Sequence, residues 1–328
     1  MKFKQSWIAA AVALVALAMV LTFFTLASTG ALAGKTQNAG SEKETLKVGF
    51  IPAAFYLPLY VAMEKGYFAE EGFDVKYVRF ESVSDQVNAL VKGDIDISGV
   101  GSAGGFAAES RSPGSLKFIY GQDLHSYSFM VAKGSNITSL SELKRKRIGT
   151  WQSPTPLLLI KLVLSKSFNS SEVETVQMDA TLLNQALASG QVDAIFINDV
   201  FTQVGIERGL TRYLEKDPVS DHVFNPFFNG GGIVSAKSVR DNPQKAARIQ
   251  RALEKAIAFI DSNPEEARKT MLQYLPFEES VVLNAPLDWF YPLSRLNVAN
   301  AQKVADTFYE DNVIASPLEA SKLFWSGR

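Results

Sequence analysis

An internal repeat constrains this chain more than any other feature. Ala89-Leu90-Val91-Lys92-Gly93-Asp94-Ile95-Asp96 reads A-L-x-x-G-x-I-D, and 97 residues later Ala186-Leu187-Ala188-Ser189-Gly190-Gln191-Val192-Asp193 reads A-L-x-x-G-x-V-D. Each copy has the pattern of a helix end, a glycine C-cap, a polar turn and a buried strand. Two such junctions inside similar strand–helix–strand contexts predict two α/β lobes, each built on a largely parallel sheet with crossover helices.

The flanking segments fit that frame. In the first copy, strands are expected at Thr45–Ile51, Phe73–Phe80 and Ile95–Val100, with helices at Pro58–Lys65 and Val83–Lys92. In the second, strands are expected at Arg147–Thr150, Thr175–Met178 and Ala194–Ile197. The helices there begin at Thr155-Pro156, where Thr caps and Pro fits the first turn, and run over Leu182–Ser189 and Val200–Arg208. Asn229-Gly230-Gly231-Gly232 reads as a flexible junction, with Ile233–Ser235 a strand returning to the first lobe. The remainder reads as helical. Pro243–Asp261 carries Ala246, Ile249, Leu253, Ile257 and Ile260 along one stripe, and further helices follow to Tyr274, over Asn297–Asp311 and over Pro317–Trp325.

The N-terminus stands apart. Lys2 and Lys4 precede an uncharged apolar run, Trp7–Leu26, and Ala31-Leu32-Ala33 has the small residues that a signal peptidase reads. Residues 1–33 are therefore expected to be a signal peptide or, uncleaved, a membrane anchor, because the run is long enough to span a bilayer. Both put the rest of the chain outside the cytoplasm. Residues 34–44 read as a flexible tether, 45–128 with 234–328 as lobe 1, and 129–233 as lobe 2.

With no cysteine, disulfides, thiolate nucleophiles and Cys-ligated metals are removed, and two histidines make a His-rich metal site improbable, so no metal or cofactor is expected. A net charge of -1 gives no reason to expect nucleic acid. No GxxxxGK[ST] phosphate loop is present, so ATP hydrolysis is not expected of this chain.

The segment Gly49-Phe50-Ile51-Pro52 followed by Pro58-Leu59-Tyr60-Val61-Ala62-Met63-Glu64-Lys65-Gly66-Tyr67-Phe68-Ala69-Glu70-Glu71-Gly72-Phe73-Asp74-Val75 resembles the opening of the nitrate/sulfonate/taurine-type substrate-binding proteins of ABC importers, a family that includes binders of thiamine pyrimidine precursors. Ser82–Asp96 and Gly190–Ala194 extend the likeness. The resemblance implies a type II periplasmic-binding-protein fold: two doubly wound α/β lobes, two crossover segments and a ligand between them. It also implies a monomer that hands a small-molecule solute to a permease and ATPase encoded separately. Enzymes that resemble the family rely on cysteine chemistry that this chain lacks, so no catalysis is expected.

Ligands of open α/β sheets bind beyond the carboxyl ends of the strands, where helix N-termini present free N–H groups. That rule selects Phe55, Tyr56, Ser82, Gly101 and Ser102 in the first lobe and Trp151, Gln152, Ser153, Thr155, Asn198 and Asp199 in the second. The repeat offset maps Ser102 onto Asp199. Asp123 and His125 are expected near the first crossover, and Phe228 and Asn229 near the second; only one of Phe227 and Phe228 can face the cleft if both lie on a strand. Asp96 and Asp193 read as turn or cap groups. These loops hold aromatics and acceptors but no Arg or Lys, which favours an aromatic or heterocyclic organic solute over an oxyanion. A sulfonate- or nitrate-type anion binder, and a component presenting ligand to a membrane receptor, are the alternatives.

Overall fold

The computed structural model describes residues 43–125, 127–325 and 327. The expected export segment and nearly all of the tether lie outside the described residues. Among the described residues, no helix is long and apolar enough to cross a membrane.

Among the described residues, twelve strands form two sheets. They are β1 (Glu44–Phe50), β2 (Phe73–Arg79), β3 (Ile97–Gly101), β4 (Leu116–Phe118), β5 (Tyr120–Asp123), β6 (Ser128–Ala132), β7 (Arg147–Trp151), β8 (Glu174–Met178), β9 (Ala194–Ile197), β10 (Thr211–Lys216), β11 (Phe228–Ser235) and β12 (Trp289–Pro292). The first sheet runs β12-β5-β11-β3-β1-β2, with β4 also on β11; the second runs β10-β6-β9-β7-β8. β1 pairs parallel with β2 and β3, as β7 does with β8 and β9. Each sheet then accepts one antiparallel strand that follows a crossing: β6 lies against β9, and β11 against β3. The expected α/β architecture of two lobes and two crossings is what the chain adopts.

The repeat is reproduced atom for atom. Gly93 and Gly190 both take the left-handed conformation, at φ 87° and 74°. The next amide, of Asp94 or Gln191, donates to the carbonyl of Ala89 or Ala186 at 2.9 Å, a Schellman closure. Asp96 and Asp193 then hold the neighbouring strand: Lys47 N–H donates to Asp96 Oδ2 at 2.7 Å, and Arg147 N–H to Asp193 Oδ2 at 2.9 Å. Both are structural groups, as expected.

Three expectations are corrected. Gly230, Gly231 and Gly232 are not a flexible junction but the buried middle of β11, so the return to the first sheet occurs before Phe228 rather than at 233, and β6 already starts the second sheet at Ser128. Glycine is required there: a Cβ on Gly231, at φ +151°, would stand 2.0 Å from the Tyr120 carbonyl oxygen. The helix expected over Pro317–Trp325 is only a 3-10 turn, Ala320–Leu323. The chain beyond it is drawn out by the sheet edge, with Phe324 bridging Phe118 and the Trp325 N–H donating to the Phe118 carbonyl. The helix Pro154–Leu164 starts at Ser153, two residues before the expected cap at Thr155.

The first-lobe core sits between β1 and the long helix Pro243–Ser262, whose stripe of Ala246, Ile249, Leu253, Ile257 and Ile260 is buried as expected. It packs on the helix Leu57–Glu64, which is buried from Leu57 to Met63. Burial of such a stripe at about 25 cal/mol per Å² of apolar area is the main term holding this lobe together.

Candidate functional site

The strand-end loops of the two sheets face one another. Val83 and Ser84 after β2, Ala103 and Gly104 after β3, and Gln152 and Ser153 after β7 line one cavity of about 950 Å³. Arg111, at the far end of the helix Ser102–Arg111, also lines it, so this cavity is not free of cations even though the strand-end loops are. On the other side, Val200 is buried in the first-lobe cluster and Phe201 stands edge-on to Phe277 at 5.4 Å. The second lobe's helix Asp199–Glu207 thus rests on the first lobe.

The expected residues fall into groups. Ser102 opens its helix after Gly101; it is 1% exposed, and its hydroxyl has no hydrogen-bond partner. A buried hydroxyl among the unpaired amides of a helix N-terminus is costly unless something fills it. Asn198 is the N-cap of the corresponding helix in the second lobe and uses no side-chain cap bond; Asp199 follows it as the first helical residue, with its side chain outside what is described. Trp151 is half-buried at the end of β7 and stacks on Tyr127 of the first crossing at 5.4 Å, which stacks on Phe196 at 4.8 Å. Gln152 is exposed and Ser153 half-buried in the cavity wall. Asn229 is half-buried in β11, its carbonyl 3.6 Å from where a Cβ on Gly101 would be.

Other expected residues serve the fold. Tyr56 is 4% exposed; its hydroxyl donates to Gln86 Oε1 at 2.8 Å, and burial pushes its pKa up. Phe55 is half-buried, with its ring over Gly99. Ser82 caps the helix Val83–Lys92, accepting from Asp85 N–H at 3.1 Å. Thr155 is buried in the first turn of its helix. Phe228 packs among Phe106, Phe118 and Phe324, and Phe227 is also buried, stacked on Phe224, so neither reaches the cleft.

Asp123 and His125 belong to a cluster at the crossings whose other members the sequence reading missed. His125 Nδ1 is 2.5 Å from Asp217 Oδ2, and its ring lies 4.2 Å from Trp289. Asp217 sits in the left-handed region at φ 47°, a conformation that Asp tolerates at a small cost. Asp288 accepts from Gln122 Nε2 at 2.7 Å and from His125 N–H at 3.1 Å. Tyr291 donates to Asp123 Oδ1 at 2.6 Å, reaching it across Gly121. Burial pushes the Asp123 carboxyl above the usual range, against the pull of Tyr291 and His125. The run of strand-forming aromatics Trp289-Phe290-Tyr291 is the available signal for β12, hidden in a segment otherwise read as helical.

Two α/β lobes joined by two crossings, with the strand ends turned toward a shared cavity, define the periplasmic-binding-protein fold. An aliphatic sulphonate binding protein from Escherichia coli has this fold, superposing with a TM-score of 0.72 at 18% identity over 86% of this chain and 92% of that one. Residues 54–267 match the NMT1/THI5 like family, and the chain belongs to that family. A Brucella abortus protein, named only as a candidate binding protein, is 26% identical over 67% of this chain and 68% of its own length. A Saccharomyces cerevisiae 4-amino-5-hydroxymethyl-2-methylpyrimidine phosphate synthase is 22% identical over 72% of each chain.

Proposed function

We propose that this chain is an extracytoplasmic solute-binding protein that closes its two lobes on a small organic nutrient, aromatic or heterocyclic, and delivers it to an ABC importer. The cavity shared by the strand-end loops of both lobes carries this reading, because a ligand held there touches both and can therefore favour closure. The orphaned Ser102 hydroxyl and the Trp151–Tyr127 stack supply one polar and one aromatic contact class. Delivery outside the cytoplasm follows from the export-type N-terminus and from the periplasmic relatives. A binding role rather than catalysis rests on the absence of cysteine from a chain that has enzymes among its relatives.

Mass spectrometry of ligand carried through native purification tests this directly. Heterocycles are expected to raise the Tm more than sulfonates or nitrate do. The sulfonate reading, favoured by the likeness to the Escherichia coli protein, replaces it if the order is reversed. Trp151→Ala is expected to weaken binding about tenfold, in line with the loss of an aromatic anchor; unchanged affinity would place the ligand elsewhere.

A further inference from the structure

We propose that the crossing-side end of the cleft is a subsite for an N–H-rich, cationic head group, formed by Trp289, His125 and Asp123. The inference rests on the solute-binding reading above and specifies which end of the solute this region takes. The register puts these residues at the ligand end of the first sheet. Gly230 pairs with Gly101, the residue before Ser102, and also with Gln122; Asp123 pairs with Trp289. Gln122 and Asp123 therefore stand level with the helix N-terminus that opens the cleft.

This end holds a carboxylate and a buried ring nitrogen. Asp123 is 5% exposed and has one oxygen on Tyr291. In the neutral His125 ring, the bond to Asp217 takes the Nδ1 proton and leaves the buried Nε2 as an acceptor without a partner. A buried acceptor without a donor is costly, and an incoming group with several N–H donors satisfies it together with the carboxylate.

Trp289 supplies the second half of the recognition. It is 64% exposed on β12, unusual for the largest side chain, while its ring is fixed by contact with His125. Trp289, Asp123 and Tyr291 lie on one face of the β5–β12 pair, so the indole face and the carboxylate border the same space. An indole face beside carboxylates is a cation–π site, and among the described residues no ammonium or guanidinium is hydrogen-bonded to Asp123, Asp217 or His125. A protonated amino-heterocycle or an amidinium meets both requirements.

Calorimetry with three single-ring probes tests this at mildly alkaline pH: 4-aminopyridine, a cation; 4-methylpyridine, neutral and of the same size; and benzenesulfonate, an anion. The full-length exported protein is expected to prefer 4-aminopyridine by about tenfold over 4-methylpyridine. Trp289→Ala and Asp123→Asn are each expected to erase that preference, weakening 4-aminopyridine binding about tenfold more than 4-methylpyridine binding. Trp289 is exposed, and Asn keeps an acceptor for Tyr291, so both variants should fold. Equal binding of the two pyridines, or a preference that survives both substitutions, overturns the subsite but leaves the organic-solute reading standing. Tightest binding of benzenesulfonate, or no binding of any probe, overturns both.

Discussion

The two lobes share one scaffold but fill it in opposite ways. Where the incoming strand meets the third parallel strand, the first lobe pairs Gly232 with Gly99 and the second pairs Phe129 with Phe196. The aromatic bulk in the first lobe comes from elsewhere: Phe55 and Tyr56 cover Gly99, and the Tyr120 ring covers Gly232. In the second lobe the paired residues bring their own rings, 4.7 Å apart, and Tyr127 stacks on Phe196. A repeat therefore preserves backbone geometry without preserving which residue fills a given volume. In the first lobe, rings lent by the loop after β1 tie that loop to the sheet, whereas in the second lobe the stack extends from the sheet into the first crossing and out to Trp151.

The largest expected effect breaks the glycine half of this comparison. Gly231→Ala puts a Cβ against the backbone oxygen of Tyr120 at a φ that L-residues avoid, so relaxation requires β5 and β11 to separate. Its cost is expected to exceed about 4 kcal/mol and to abolish cooperative unfolding of the first lobe in urea. Phe129→Ala in the second lobe removes a ring but no backbone pairing, and is expected to cost about 3 kcal/mol. If Phe129→Ala proves the more damaging, close packing of glycine backbones does not hold the first lobe together.

The same offset sharpens the comparison in the layer beneath. Gln86 and Ser98 in the first lobe correspond to Leu183 and Ile195 in the second; Leu183 and Ile195 both crowd Gly149, whereas Ser98 with Ile95 and Phe80 crowds Gly49. The first-lobe pair is a buried polar knot: Gln86 donates to Ser98 and to the Gly99 carbonyl and accepts from Tyr56, while Ser98 donates to the Gly49 carbonyl at 2.7 Å. Gln86→Leu copies the second lobe but takes the donor from Ser98 and leaves Tyr56 only its 3.3 Å bond to the Gly99 carbonyl, at an expected cost of about 2 kcal/mol. Adding Ser98→Ala should recover part of the loss in the same urea titration. If Gln86→Leu stabilises the protein, the polar knot is not needed for the packing of this lobe.

The architecture was legible because its signals are local. Helix–Gly–strand junctions, apolar stripes and proline starts depend on nearby residues, and they placed both lobes, most parallel strands and the stripe of the long helix. The antiparallel strands β4, β5, β6, β10 and β12 were not legible: they are three to six residues long and gain their partners only from distant segments. The site was legible on the same terms. The rule of strand ends led to Gln152 and Ser153, which line the cavity, and to Ser102, whose buried hydroxyl has no partner. It could not tell that Tyr56 and Phe228 are claimed by the core, because both contacts are long-range. Nor could it find Trp289 or Asp217, which reach His125 only through folding.

A smaller effect separates the two aspartates of the repeat. Asp96 holds Lys47 N–H and also meets Lys245 Nζ at 2.7 Å, which ties β1 to the long helix. Asp193 holds Arg147 N–H, and its further contact, to the Arg147 side chain, stays within the same strand. Asp96→Asn is expected to cost about 1.5 kcal/mol and Asp193→Asn about 1 kcal/mol. The difference should shrink at high salt, since Asp96 loses the shorter ion pair, 2.7 Å to Lys245 against 3.4 Å between Asp193 and Arg147. Equal costs at low salt would mean that the Lys245 link adds nothing.

The smallest expected effect concerns two carboxylates of the first lobe with opposite shifts. Burial raises the folded pKa of Asp123, so its contribution is fullest below the ordinary carboxylate range and is lost as pH rises through the raised folded value. For Glu44, burial works in the same direction, but the hydrogen bonds from Arg248 and Lys245 outweigh it and hold the pKa low. Its contribution is present above the ordinary carboxylate range and is lost as pH falls through the lowered folded value. Asp123→Asn is therefore expected to raise the Tm slightly at neutral pH and not in acid, by less than about 1 kcal/mol, and Glu44→Gln to lower it at neutral pH and not in acid. The two difference curves should slope in opposite senses with pH. Parallel slopes would mean that the Asp123 carboxylate is better solvated than its burial in the cleft implies, and such a carboxylate would have no unmet demand for a ligand's N–H.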